Sequence, residues 1–100
     1  MCFLMLDPRS KVEHICTSLA GYYGLGHIKE LGLSEGFHIH IGLAPLGSGP
    51  TDWAQVLRLI SPHLPEDSWL ILEHILSPDE GRNSYRLLCQ AALQAGVELA

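Results

Sequence analysis

The chain is poor in basic residues and has no long hydrophobic run. Only six of its 100 residues are Lys or Arg, eleven are Asp or Glu, and the formal net charge is −5. Proteins that bind nucleic acid need clustered positive charge to meet the phosphate backbone, so no nucleic-acid partner is expected. A helix that crosses a membrane needs about 18 consecutive apolar residues. No run here comes near that length, so no membrane partner is expected either.

Cysteine is also scarce. Cys2, Cys16 and Cys89 are isolated from one another, and no two of them form a Cys-x-x-Cys pair. An odd number of isolated cysteines indicates reduced side chains in a cytoplasmic protein. Apolar residues are plentiful instead: 47% of the chain is hydrophobic, which is too much for a disordered protein. The length suits a single domain.

Short apolar runs predict the strands. Residues 2–6, 25–31 and 69–72 are such runs, and a further strand-like segment covers 37–41. The glycine-rich stretch 32–50 lacks helical periodicity and is predicted to be mostly a long loop of functional importance.

Amphipathic patterns predict three helices between and after these strands. The first begins in the S-x-x-E capping box at Ser10 and ends near Tyr22. The second begins at Thr51 as the capping residue, with Asp52 in its first turn. The third begins at Ser77 in a second S-x-x-E box, and a glycine after Ala95 stops it. Alternating strands and helices predict an α/β fold with a parallel sheet.

Polar residues that can bind metal follow three of the apolar runs. Asp7, His27 and Glu73 each stand at the C-terminal end of such a run. Two carboxylates and one imidazole suit Mn²⁺ or Mg²⁺, and Co²⁺ or Zn²⁺ would also accept them. The alternative interpretation is that polar residues merely mark where strands leave the core.

Further candidates lie close to these positions. Lys29 has the same strand parity as His27, so it is a candidate catalytic residue that faces a substrate phosphate or enediolate, or else a solvated lysine. His40 shares a strand face with His38 and is a candidate for substrate binding, although exposed loop histidines are commoner. His74 directly follows Glu73 and is a second candidate for substrate binding.

Four motifs together resemble the sugar phosphate isomerase/epimerase family. This family has xylose isomerase-like TIM barrels and belongs to the AP endonuclease family 2 superfamily. Residues 27–30 are similar to its H-x-K-D strand end, with Glu30 in place of aspartate. Residues 46–53 resemble its G-x-G-x-x-D-[FYW] turn, residues 72–74 its L-x-E-H strand end, and residues 6–8 its D-P-x-N segment.

The resemblance implies a fold and a ligand set. Residues 1–100 would form the C-terminal three βα units of a (β/α)8 barrel, with roughly the first five units outside this chain. Asp7, His27 and Glu73 would be three of four metal ligands, and the fourth, a glutamate of an earlier strand, has no counterpart here. Glu73 would act as both ligand and acid/base catalyst. The substrate would be a small carbohydrate whose protons move through an enediolate.

Other functions remain open on the sequence alone. An endonuclease IV-like repair enzyme shares the scaffold, and five further histidines accompany His27, but the acidic balance opposes it. A dehydratase of an inositol-derived ketone cannot be separated from an isomerase. A barrel remnant that catalyses nothing is the third alternative, and it is what we expect of these 100 residues taken alone. Uncovered barrel edges also predict self-association.

Overall fold

The structure is a computed structural model that describes residues 8–34, 36–37 and 40–99. The predicted strand over residues 2–6, the ligand Asp7 and the histidine His38 lie outside these ranges. The described elements follow one another as α1 Pro8–Ser18, β1 Gly26–Ile28, β2 Glu30–Ser34, β3 His40–Ala44, α2 Trp53–Ile60 with a 3-10 turn at Ser61–His63, β4 Leu70–Leu72 and α3 Pro78–Ala95.

The chain has an α/β fold. Strand β1 pairs in parallel with β4, with Gly26 opposite Leu70 and Ile28 opposite Leu72, as the alternation of patterns predicted. In the described residues, a second sheet pairs β2 with β3. Repeated units of a barrel are not seen in the described part of the chain, so the barrel stays a prediction.

Part of the stretch predicted as a long loop instead forms an antiparallel pair of strands, which we call the β2–β3 hairpin. Strands β2 and β3 pair from Glu30 opposite Ala44 to Ser34 opposite His40. Of the predicted strand over 37–41, residues 40 and 41 belong to β3, residue 37 lies in a bend, and residues 38 and 39 lie outside the described ranges. The cross-strand pairs Leu31–Leu43 and Leu33–Ile41 place apolar residues at every second position, which favours pairing of the two segments.

Two of the three helices begin at other residues than predicted. Helix α1 begins at Pro8, so Ser10 lies inside it, and it ends at Ser18 rather than near Tyr22. Proline suits the first helical turn because it has no N–H to leave unpaired there. Helix α2 is capped by Asp52, whose carboxylate accepts the Gln55 N–H at 3.0 Å.

Helix α3 matches its prediction at both ends. The Ser77 hydroxyl accepts the Glu80 N–H at 3.2 Å, and Gly96 ends the helix in the left-handed conformation at φ 70°. α3 is 18 residues long. Neither it nor another helix in the described ranges combines the length and apolar character needed to cross a bilayer.

The core lies between the helices and one face of the parallel strand pair. It is built from the buried side chains Ile28, Trp53, Leu57, Leu88, Ala91 and Ala92, with Leu70 and Leu72 packed against them. Since side chains alternate along a strand, His27 and Ile71 point to the opposite face. The helices therefore cover one face and leave the other for the polar strand ends.

Candidate active site

The ends of β1 and β4 bring three predicted site residues to one face. His27 lies opposite Ile71 in the parallel pair, so Lys29 and Glu73, each two residues further along, share its face. The Glu73 N–H donates to the Ile28 carbonyl at 3.0 Å and extends the pairing by one residue. Parallel pairing thus places the glutamate beside the histidine although 46 residues separate them.

The two oxygens of the Glu73 carboxylate have different partners. His27 Nδ1 donates a hydrogen bond to Glu73 Oε1. Lys29 Nζ lies 3.5 Å from Glu73 Oε2, and His74 Nε2 lies 3.9 Å from the same oxygen. About a quarter of the Glu73 side chain is exposed, compared with about half of the His27 side chain. The carboxylate is thus held by its neighbours and still reachable from solvent.

These contacts favour the ionised form of Glu73. The hydrogen bond from His27 lowers the pKa of Glu73 below its ordinary value. Partial burial works in the opposite direction, while positive charge on His27 and Lys29 lowers the pKa further. At neutral pH the group is a carboxylate that can bind a cation or accept a proton.

A cavity of about 500 Å³ opens beside this cluster. Its polar lining includes His27, Lys29 and Glu73, and Thr51 and Trp53 line it as well. Its remaining wall is largely apolar and comes from side chains of the α1 to β2 region and of α2, among them Leu25, Ile28, Leu31, Val56 and Ile60. A cavity of this size fits a small metabolite.

His74 occupies an unusual backbone position at the edge of the cluster. Its φ is 58°, the one positive value for a residue other than glycine among those described. A histidine in the left-handed region carries backbone strain, which often accompanies a functional position. His74 lies near Glu73 but is not among the described residues that line the cavity, and its role in substrate binding stays a prediction.

His40, the other histidine predicted to bind substrate, is not brought to this cluster. His40 opens β3 opposite Ser34 in the hairpin and is not among the described residues that line the cavity. Within residues 8–34, 36–37 and 40–99, no group of three or more His, Cys, Asp or Glu side chains could hold a metal ion. Asp7, the third predicted ligand, lies outside those ranges.

Glu30 is an important residue that the sequence reasoning missed. Only 2% of it is exposed, and its carboxylate accepts hydrogen bonds from Thr51 Oγ1 at 2.5 Å and Trp53 Nε1 at 2.8 Å. Its parity, opposite to that of His27, was the available signal, because that parity points it toward the core. A buried carboxylate needs donors, and the turn before α2 supplies them.

This carboxylate also explains the displaced cap of α2. Thr51 donates its hydroxyl to Glu30, so the next residue, Asp52, caps the helix in its place.

No protein family, curated protein or solved structure matches this chain. Its function is therefore inferred from the arrangement of its side chains.

Proposed function

We propose that the chain is part of a cytoplasmic, metal-dependent isomerase or epimerase that acts on a small sugar, sugar phosphate or related polyol ketone. It would contribute the C-terminal βα units of a xylose isomerase-like barrel. One observation carries the proposal: His27 and Glu73, from different strand ends, meet at the mouth of a cavity sized for a small molecule. Lys29 adds a positive charge at the same place.

The donor set suits a divalent metal. An imidazole nitrogen and a carboxylate oxygen that face one another are typical ligands of Mn²⁺ and Zn²⁺, and further carboxylate oxygen from Asp7 would favour Mn²⁺ or Mg²⁺. His27 and Glu73 would hold the ion. When bound, it would supply a Lewis acid that polarises a substrate carbonyl.

The protein groups have separate tasks in this proposal. Glu73 is a carboxylate at neutral pH and lines the cavity, so it can accept a proton from a substrate carbon next to a carbonyl. Lys29 stabilises negative charge that develops on a substrate oxygen, since its ammonium group lines the same cavity.

A chain that binds metal without catalysis is the second candidate. Only two possible metal ligands, His27 and Glu73, meet in the described ranges, and no third side chain there completes a site. This small number of ligands favours the second candidate. A two-ligand site binds metal weakly and leaves most of the coordination sphere to water.

Metal titration is the first test. Calorimetric titration of the chain with Mn²⁺ and with Zn²⁺ should show binding that weakens at least about tenfold in His27→Ala and Glu73→Gln. His14→Ala is the matched control, because His14 is exposed on α1 and is not among the residues that line the cavity. Equal binding by His14→Ala and His27→Ala would contradict the proposed ligand.

Proton exchange separates the two candidates. The metal-loaded protein, incubated with ketoses and their phosphates in deuterated water, should exchange the proton next to the carbonyl, seen by proton NMR. Lys29→Met should keep metal binding and slow the exchange. Binding of metal with no exchange of any substrate proton would favour the non-catalytic candidate.

A further inference from the structure

The Glu30 carboxylate accepts four hydrogen bonds within the protein. Oε1 accepts from Thr51 Oγ1 at 2.5 Å and from the Leu31 N–H at 3.2 Å. Oε2 accepts from the Trp53 indole at 2.8 Å and from the Gly47 N–H at 3.4 Å. A carboxylate offers about four lone-pair positions. Protein donors therefore occupy this group fully, and it is neither a metal ligand nor an acid/base group.

Most of these donors come from one short segment. Gly47, Thr51 and Trp53 belong to residues 47–53, which we call the 47–53 turn. Gly49 of the same turn packs directly on the carboxylate, since a Cβ atom there would lie 2.5 Å from Glu30 Oε1. The turn therefore wraps around a single buried charge.

The 47–53 turn is also a wall of the cavity. Pro50, Thr51 and Trp53 line the same space as His27 and Lys29. Glu30 directly follows Lys29 in the chain, and its side chain points to the core side of the strand. Of these two neighbouring residues, Lys29 thus places a positive charge in the cavity, and Glu30 holds the 47–53 turn that forms part of the cavity wall.

We propose that Glu30 is a positioning residue that fixes the 47–53 turn as the specificity wall of the cavity, with Thr51 and Trp53 held at a set distance from Lys29. This inference rests on the proposed function only in taking the cavity as the substrate site. A neutral amide has only one acceptor oxygen, so in either orientation its NH₂ group would face a backbone N–H donor, that of Leu31 or that of Gly47. Loss of the charge should release the wall and leave His27 and Glu73 in place.

Trp53 reports on the wall directly. The chain has two tryptophans, so Trp69→Phe leaves Trp53 as the only indole. In this background, Glu30→Gln should move the indole N–H resonance toward that of a solvated indole and raise acrylamide quenching at least twofold. Glu30→Asp keeps the charge and should give values closer to the parent. Glu66→Gln, a matched loss of charge at an exposed site, should change neither signal.

The Trp53 signals of these variants decide whether Glu30 positions the 47–53 turn. An unchanged indole resonance and unchanged quenching in Glu30→Gln would overturn it. If that variant fails to fold, Thr51→Val removes one donor and keeps the carboxylate, and it should show a smaller shift in the same direction. Unchanged signals in folded Thr51→Val would then overturn the inference.

Two further readouts separate this inference from the proposed function. Mn²⁺ affinity should be equal in Glu30→Gln and its parent, since the proposed ligands are untouched. In the proton-exchange assay, Glu30→Gln should raise KM severalfold with little change in kcat. If the parent neither binds Mn²⁺ nor exchanges protons, the proposed function fails, and the Trp53 signals still decide the role of Glu30.

Discussion

Two glutamates of this chain show how neighbours assign different tasks to one side chain. Glu30 is buried and surrounded by neutral donors that use its full hydrogen-bonding capacity. Glu73 is partly exposed and lies against His27 and Lys29 at a cavity. The buried Glu30 carboxylate therefore holds neighbouring segments in place. The Glu73 carboxylate lies beside a cavity, so it can exchange His27 and Lys29 for a ligand.

Removing the His27 hydrogen bond should raise the pKa of Glu73. In His27→Phe the largest cause of the lowered pKa is gone, so the pKa should move up toward its ordinary value. Titration of the Glu73 side-chain carbon by ¹³C NMR measures it. Lys29→Met should give a smaller rise, because the lysine contributes less to the shift. A larger rise in Lys29→Met than in His27→Phe would contradict this order.

The lowered pKa of Glu73 makes the stability of the folded chain depend on pH. A carboxylate whose pKa is lower in the folded than in the unfolded state stabilises the fold above the unfolded pKa, and that stabilisation is lost as the pH falls through the folded pKa. The wild-type chain should therefore lose more stability than His27→Phe on acidification below the ordinary pKa of Glu73, 4.5. Urea unfolding at a series of pH values is the measurement.

Trp53 should contribute to stability through its indole N–H as well as its burial. Trp53→Phe removes a donor to the buried Glu30 carboxylate, and a hydrogen bond to a charged group is worth roughly 1.5–3 kcal/mol. We expect a loss of at least that size in the free energy of urea unfolding. Trp69→Phe is the control, since Trp69 is 74% exposed and should change stability by less than about 0.5 kcal/mol.

Residues close in sequence were enough to predict the helix α3. They were not enough for elements whose bounds depend on contacts with residues far away in the chain. Ser77 and Gly96 act within one helix, so the sequence around them was sufficient. The start of α2 was predicted one residue early, because Thr51 donates to Glu30, 21 residues away. The β2–β3 hairpin was missed because its glycines suggested a loop, whereas pairs such as Leu33–Ile41 need both strands to be considered together.

Gly96 at the end of α3 can be compared with Gly24, which precedes β1, by substituting each with alanine. A Cβ atom at Gly96 or at Gly24 would meet no atom within 4 Å, but only Gly96 has a left-handed backbone, with φ 70°. Gly96→Ala should therefore cost about 1 kcal/mol of stability through backbone strain alone. Gly24→Ala should be neutral or slightly stabilising, because it restricts the unfolded chain. Equal effects in urea unfolding would refute the strain at Gly96.

The whole molecule depends on contacts that no local pattern encodes. The sequence correctly predicted an α/β chain and a parallel pair of strands. The structure places His27, Lys29 and Glu73 together, and their functional role stays a prediction. Barrel closure is a property of many strands acting together, so motifs at single strand ends cannot establish it. The described sheets have two strands each, and such small sheets need further cover to be stable.

Among the residues that the structure describes, the β2–β3 hairpin is a surface without such cover. Leu33 and Ile41 form a cross-strand pair, and they are 59% and 61% exposed on a face that they share with Leu31 and Leu43. We expect the chain to self-associate, because exposed aliphatic side chains on a short two-stranded sheet favour contact with another copy. Sedimentation velocity over a wide range of concentrations should show the mass rising with concentration.

Charge placed on that hairpin face should weaken the association. Ile41→Lys puts an ammonium group among Leu31, Leu33 and Leu43, and burying it in a contact between copies would be costly. Leu93→Lys on α3 is the control, since Leu93 is 81% exposed and lies on a different element. If both lysine variants weaken association equally, net charge rather than the hairpin face controls it. A wild-type chain that stays monomeric and unfolds cooperatively at every concentration would show that the exposed hairpin needs no partner.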